Sequence, residues 1–244
     1  MKKKLLIAAA ATVFGTSAMA QSAFEGFYGQ VGTGYQNNTG SNLSSSYSVY
    51  PANGGTETGN AIISDQTAQG VPLVLGLGYM FPISGPWLIG LGADYSFLPQ
   101  KTGSFTVATT DTLGSSTLTG HQIEVSNSYN IFVTTGYAID KDKLAYIKLG
   151  YSSQQSKYTA PTQSVNEDPA YSFTSTTNGY ILGLGYKQVI SGSLYGFAEA
   201  NYMSYSKLSK TLNLTATNNT YTSSSNINSA SSAYTLLVGI GYKF

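Results

Sequence analysis

Eight stretches of the chain alternate in hydropathy with a period of two, and no stretch carries a helical stripe. They are residues 24–36, 70–81, 87–98, 122–139, 144–155, 179–189, 194–206 and 233–244. Strict alternation marks strands with two unlike faces. Each run is long enough to cross a bilayer as a tilted strand of about 9–11 residues. The connections also alternate. Three are short and rich in turn residues, at 82–86, 140–143 and 190–193. Four are long and polar, at 37–69, 99–121, 156–178 and 207–232. The pattern predicts an all-β fold: an eight-stranded antiparallel up-and-down transmembrane β-barrel with four long extracellular loops, three short periplasmic turns and both termini on the periplasmic side.

Side-chain parity supports the two-faced reading. If the more apolar face of each run meets lipid, then Asp94, Glu124, Lys148, Lys187, Glu199 and Lys243 all fall on the other face. A lipid-facing lysine near the midplane costs about 2–4 kcal/mol, so charge belongs inside. Three acids and three lysines predict a paired lumen charge network. Tyrosine gives a separate sign. Tyr35, Tyr95, Tyr151 and Tyr202 point outward near one end of the rising strands. Tyr79, Tyr137, Tyr186 and Tyr242 point outward near the other end of the descending strands, joined by Trp87, Phe81 and Phe244. Two aromatic girdles are expected where ring side chains meet the membrane interfaces.

The first twenty residues read as a cleaved secretory signal. Lys2, Lys3 and Lys4 precede an apolar run at 5–14 and the small-residue site Ala18-Met19-Ala20. That order leaves one domain, residues 21–244, and the apolar run is too short to span a bilayer. The chain has no cysteine, which excludes disulfides, thiolate metal sites, cysteine nucleophiles and a lipidated N-terminal cysteine. Without the three leader lysines, nine lysines face eleven acids, a net charge of −2. Nucleic acid is excluded as a partner on that balance. Charged residues make up only 9% of the chain, against about 25% in ordinary soluble domains, which again suits a barrel in lipid.

The C-terminus is Tyr242-Lys243-Phe244 after apolar residues at alternate positions. Gly-x-Gly-Tyr recurs at 32–35, 76–79, 183–186 and 239–242. In these features the chain resembles the small Gram-negative outer-membrane β-barrel family, which includes the OmpA membrane domain, OmpX and the opacity-type surface proteins. The resemblance covers residues 21–244. It implies residence in the bacterial outer membrane among outer-membrane lipid, passage with periplasmic chaperones, and insertion by the barrel-assembly machinery. Tyr242 and Phe244 match the family's assembly signal. The chain ends at the eighth run, so no peptidoglycan-binding domain is expected.

No motif in the chain carries catalysis. The Gly-x-Gly pairs lack the third glycine and following helix of a nucleotide loop. Their glycines face the lumen, where they leave room for larger side chains from opposite strands. His121, the one histidine, ends a long loop before Ser126 and Ser128 and reads as a solvated loop residue. The loop acids Glu57, Asp65, Asp111, Glu167 and Asp168 lack metal-ligand spacing. No catalytic residue, metal or cofactor is expected, and the chain is not read as an enzyme. Function falls to the long loops, which carry Tyr47, Tyr50, Tyr158, Tyr171 and Tyr221 among small polar residues. The expectation is a structural or surface-interaction role, in membrane integrity, adhesion or antigenic display, with a host or extracellular ligand bound through the loops. The alternative is a narrow channel or transport protein for small solutes; a lipid A-modifying enzyme stands behind both. Residues 104–112 and 115–119 should pair about a turn at 111–114. Residues 210–217 and 220–224 should do so about Asn218-Asn219.

Overall fold

The computed structural model describes residues 22–112, 114–162, 170–215 and 221–244. The leader expected at 1–20 and the turn at Asn218-Asn219 lie outside the described residues. Twelve strands form among the described residues: β1 (Gly26–Pro51), β2 (Glu57–Ile63), β3 (Gln66–Gly70), β4 (Leu73–Ser84), β5 (Trp87–Ser96), β6 (Gln100–Lys101), β7 (Phe105–Asp111), β8 (Gly114–Asp140), β9 (Lys143–Ala160), β10 (Tyr171–Ser191), β11 (Leu194–Thr215) and β12 (Tyr221–Lys243). They make one antiparallel sheet in the order β12-β11-β10-β9-β8-β5-β4-β1, and β12 also pairs with β1. The sheet therefore closes on itself. Tyr28 stands opposite Lys243 at one end of that closing seam and Pro51 opposite Tyr221 at the other.

The strands run well beyond the apolar runs. Much of what reads as a long polar loop is paired backbone. β1 continues to Pro51 and is met by β2 and β3. Asp111 faces Gly114 across a tight turn, and Phe105 faces His121 at the base of that hairpin. Thr215 faces Thr222 in the β11–β12 hairpin. Pairing satisfies the backbone groups of these segments without an apolar face. Above the level of β5 the wall is completed by β2 and β7, which pair with each other between β1 and β8. One seam remains there. β10 and β11 pair only as far as Gly179 and Tyr205. Beyond that level the Ser206 hydroxyl reaches the Asn178 carbonyl at 2.8 Å, and Lys210 reaches the Thr174 carbonyl at 3.4 Å.

Three bulges divide the lower barrel from the upper wall. The register shifts between Ser41 and Ser44 in β1, between Ser126 and Tyr129 in β8, and between Tyr205 and Leu208 in β11. Asn42 and Asn127, inside two of them, adopt positive φ of 53° and 49°. Asparagine tolerates that left-handed region better than most side chains. A bulge adds one residue to the strand and so exchanges its two faces. In β8 the inward residues are even-numbered below the bulge, as at Asn130, Phe132 and Thr134, and odd-numbered just above it, as at His121, Ile123 and Val125, until a second shift brings even-numbered Leu118 inward.

The lower interior is filled by rings lying over glycines. Tyr28 faces Gly78, Tyr146 faces Gly185, Tyr195 faces Gly241, Phe197 faces Gly239 and Phe132 faces Gly92. In each pair a Cβ on the glycine would strike the ring. The space these glycines leave is thus taken by the adjacent strand, rather than by the opposite side of the barrel. Gly239 is the most confined, because a Cβ there meets the Val31 carbonyl and Gly32 backbone as well as Phe197. Gly239→Val should destabilise the barrel by about 1–3 kcal/mol, the cost of overpacking. Gly103→Val, at a site open to solvent, should leave stability unchanged. Urea titration followed by heat-modifiable gel mobility measures both; equal midpoints for the two variants would contradict this packing.

Candidate functional site

Leu144, Leu88 and Met80 close the lower end of the interior, with Phe24 edge-on to Tyr195. Above them is a layer of tyrosine. Lys187 projects into it from β10, its ammonium 3.7 Å from the ring centre of Tyr28, 4.9 Å from Tyr195 and 5.5 Å from Tyr146. Ring faces attract a cation electrostatically.

The next layer holds the charge network. Lys148 of β9 is 1% exposed. Its ammonium contacts Asp94 of β5 at 2.7 Å and Glu199 of β11 at 2.8 Å, above the Phe132 ring at 4.0 Å. Each carboxylate is bonded further. Glu199 accepts from the Tyr146 hydroxyl and the Asn201 amide, both at 2.7 Å. Asp94 accepts from the Asn130 amide. A buried ion offsets its desolvation only when it is paired and its partners' remaining lone pairs are filled. Lys148 is paired twice and each carboxylate has at least one further partner, so the layer acts as a charge lock across three strands.

Of the six charged residues assigned to the lumen, the structure brings together Asp94, Lys148 and Glu199. Three stand apart. Lys187 lies a layer lower among tyrosines. Lys243 is half-buried at the lower end of β12 and makes no ion pair among the described residues. Glu124 pairs with Lys101 at 2.9 Å on the β6–β8 edge, with its side chain 30% exposed. The bulge at Asn127 is the reason, since it exchanges the faces of β8 between Glu124 and Asn130. Sequence reading missed the tyrosine layer. Its signal was present: Tyr28, Tyr146 and Tyr195 share the inward parity of the charges.

The aromatic residues of both girdles lie on the outer face. Tyr35, Tyr151, Tyr202, Tyr137, Tyr242 and Trp87 are exposed; Tyr95, Tyr79 and Tyr186 are half-exposed. The descending strands add Tyr129, Tyr180 and Tyr234 to the upper set, each directly across from Tyr95, Tyr151 or Tyr202. Between the sets, Leu75, Leu91, Val133, Leu149, Leu184 and Val238 are exposed around the ring. An apolar surface this continuous does not face water.

Above the bulges the interior opens into a chamber of about 430 Å³. His121 stands in its wall, 2% exposed, which corrects its reading as a solvated loop residue. The same change of parity that turns Glu124 out turns His121 in. Its Nδ1 is hydrogen-bonded to the Tyr158 hydroxyl at 2.7 Å. Its Nε2 has no partner among the described residues. A buried polar atom left so costs roughly 1–3 kcal/mol. Burial holds the imidazole below its ordinary pKa of 6.5 and pushes the Tyr158 hydroxyl up. His121 is therefore neutral at neutral pH. At the upper end of the chamber, Asp111 accepts from the Tyr47 hydroxyl at 3.3 Å and from the Gly114 amide at 3.0 Å.

A family model described as the outer membrane protein beta-barrel domain matches residues 6–244. No curated protein matches the sequence. Among solved structures, the chain is similar to the outer membrane protein OprG of Pseudomonas aeruginosa, with a TM-score of 0.52 at 14% identity, over 91% of this chain and 98% of that one. It is also similar to the outer membrane protease OmpT of Escherichia coli, with a TM-score of 0.50 at 12% identity, over 94% and 100% of the two chains. At these identities the likeness is one of fold.

Replacing Lys148 tests the lock. Lys148→Met leaves two buried carboxylates facing each other, which should destabilise the barrel by about 3–5 kcal/mol. Urea titration of the purified barrel reads this as a lowered midpoint; a midpoint equal to wild type would contradict it.

Proposed function

The chain belongs to the outer membrane β-barrel domain family and is a protein of the bacterial outer membrane; from that premise we propose that it is a non-enzymatic surface-interaction barrel. Eight strands cross the bilayer: β1, β4, β5, β8, β9, β10, β11 and β12. The three short turns face the periplasm, and the four long connections, largely paired as hairpins, stand outside the cell. The aromatic girdles sit at the two interfaces. Outer-membrane lipid surrounds the band between them, and the assembly machinery engages the Tyr242–Phe244 end. The hairpins carry the contact that serves membrane integrity, adhesion or antigenic display.

The packed lower interior carries this reading against a channel. The space left among Tyr28, Phe132, Tyr146, Lys187 and Glu199 is about 10 Å³, no more than one water. Eight strands enclose a bore that side chains fill, and here rings and a charge lock fill it. A solute path through the lower barrel would have to break the Lys148 ion pairs. Purified protein in planar bilayers under concentrated KCl should give no single-channel steps. Shortening the long connections one at a time should remove binding in a screen of extracellular ligands. Reproducible steps from the wild-type barrel, with binding indifferent to every shortened connection, would support the channel instead.

A further inference from the structure

The chamber above the bulges is built differently from the interior below. Its volume, about 430 Å³, lies within the range of roughly 300–1,000 Å³ typical of small-molecule sites. One wall is apolar and aromatic: Ile63 of β2, Val107 of β7, Leu118 and Ile123 of β8, Tyr158 of β9 and Phe173 of β10. The rings of Tyr158 and Phe173 are stacked, with centres 5.4 Å apart. On β12 the lining includes Ser223, Ser225 and Ser229, with Ile227 among them. Six buried side-chain polar atoms lack a partner among the described residues, and His121 Nε2 is the one that belongs to a lining residue of this chamber.

We propose that this chamber is a binding site for a small molecule with an apolar ring, a hydroxyl group and no negative charge. The proposal rests on the surface-interaction reading for its orientation, which puts the chamber on the outer side of the membrane. The ring of the ligand seats against Tyr158 and Phe173. Its hydroxyl is shared between the β12 serines and the histidine, whose imidazole then gains the partner the chain does not supply. Negative charge is disfavoured, because Glu57 and Asp111 line the chamber and repel an anion. Below the lining residues Leu208 and Ser156, the same strands bury Met203, Tyr205 and Gln154, and packed side chains continue into the lower barrel.

The test uses the full barrel in lipid nanodiscs, titrated calorimetrically with 2-naphthol and 2-naphthoate, with protein-free nanodiscs subtracted. Saturable one-site binding of 2-naphthol is expected, with 2-naphthoate weaker by about tenfold or more. Ala61→Phe and Ser225→Phe, which each fill the chamber from a different strand, should abolish it. Heat-modifiable mobility identifies which of the two is folded, and either folded variant suffices. The proposal is overturned if 2-naphthol gives no heat beyond the blank, if 2-naphthoate binds as tightly, or if a folded filled variant still binds. Conductance is independent of these outcomes. A barrel that conducts yet binds 2-naphthol in the chamber contradicts the surface-interaction reading alone, and a silent barrel that binds nothing contradicts this proposal alone.

Discussion

A backbone amide in hydrocarbon has no water to bond, so a sheet that crosses a membrane must leave no open edge. In this chain the pairing of β1 with β12 meets that demand. Everything below the bulges follows from it. A sheet closed by so few strands has a bore the width of its own side chains. The sequence supplies rings to fill it and glycines for the rings to lie on. Tyr28 over Gly78, Tyr146 over Gly185 and Tyr195 over Gly241 repeat one device around the barrel. The same confinement explains the charges. Lys148 is held between two carboxylates, while Lys187 stands among ring faces without an ion pair among the described residues.

The bulges in β1, β8 and β11 then change what the wall presents. Below them the strands must be apolar outside and can be polar inside. Above them the wall stands in water and that constraint ends. Exchanging faces at this level places Leu43, Ile123, His121 and Leu208 inward and leaves Glu124 with Lys101 at the edge. One extra residue per strand thereby turns a filled barrel into a partly hollow one. The packed lower half and the hollow upper half are thus two parts of one sheet.

Most of the lower barrel was legible in the sequence because membrane burial imposes a strict period. The eight runs, the three short turns and the tyrosines at their ends all follow from that single requirement. The lock at Lys148 was legible as parity, though not its membership, because parity alone does not fix height around a sheared barrel. The upper half was less legible for the same physical reason. Serine, threonine and asparagine strands in water carry no apolar face, so their length and the positions of their bulges leave little trace. Glu124 and His121 were both misassigned by one unseen residue at Asn127. The hairpins expected at 104–119 and 210–224 were the exceptions: Phe105 and Val107 alternate before the turn from Asp111 to Gly114, and the strands flanking 216–220 pair up to Thr215 and Thr222.

The closure of β1 on β12 is open to one direct measurement, because the chain has no cysteine of its own. Val31 and Ile240 stand directly opposite each other on the outer face of that pair, whereas Leu236 is paired further up, with Tyr35. Directly opposed strand residues lie within the Cα separation a disulfide accepts, about 4.4–6.8 Å. The folded barrel carrying Val31→Cys and Ile240→Cys should form an intramolecular cross-link rapidly on mild oxidation, while Val31→Cys with Leu236→Cys should not. Failure of the first pair to link in folded protein, or equal linking by both pairs, would contradict the closed sheet on which the rest depends.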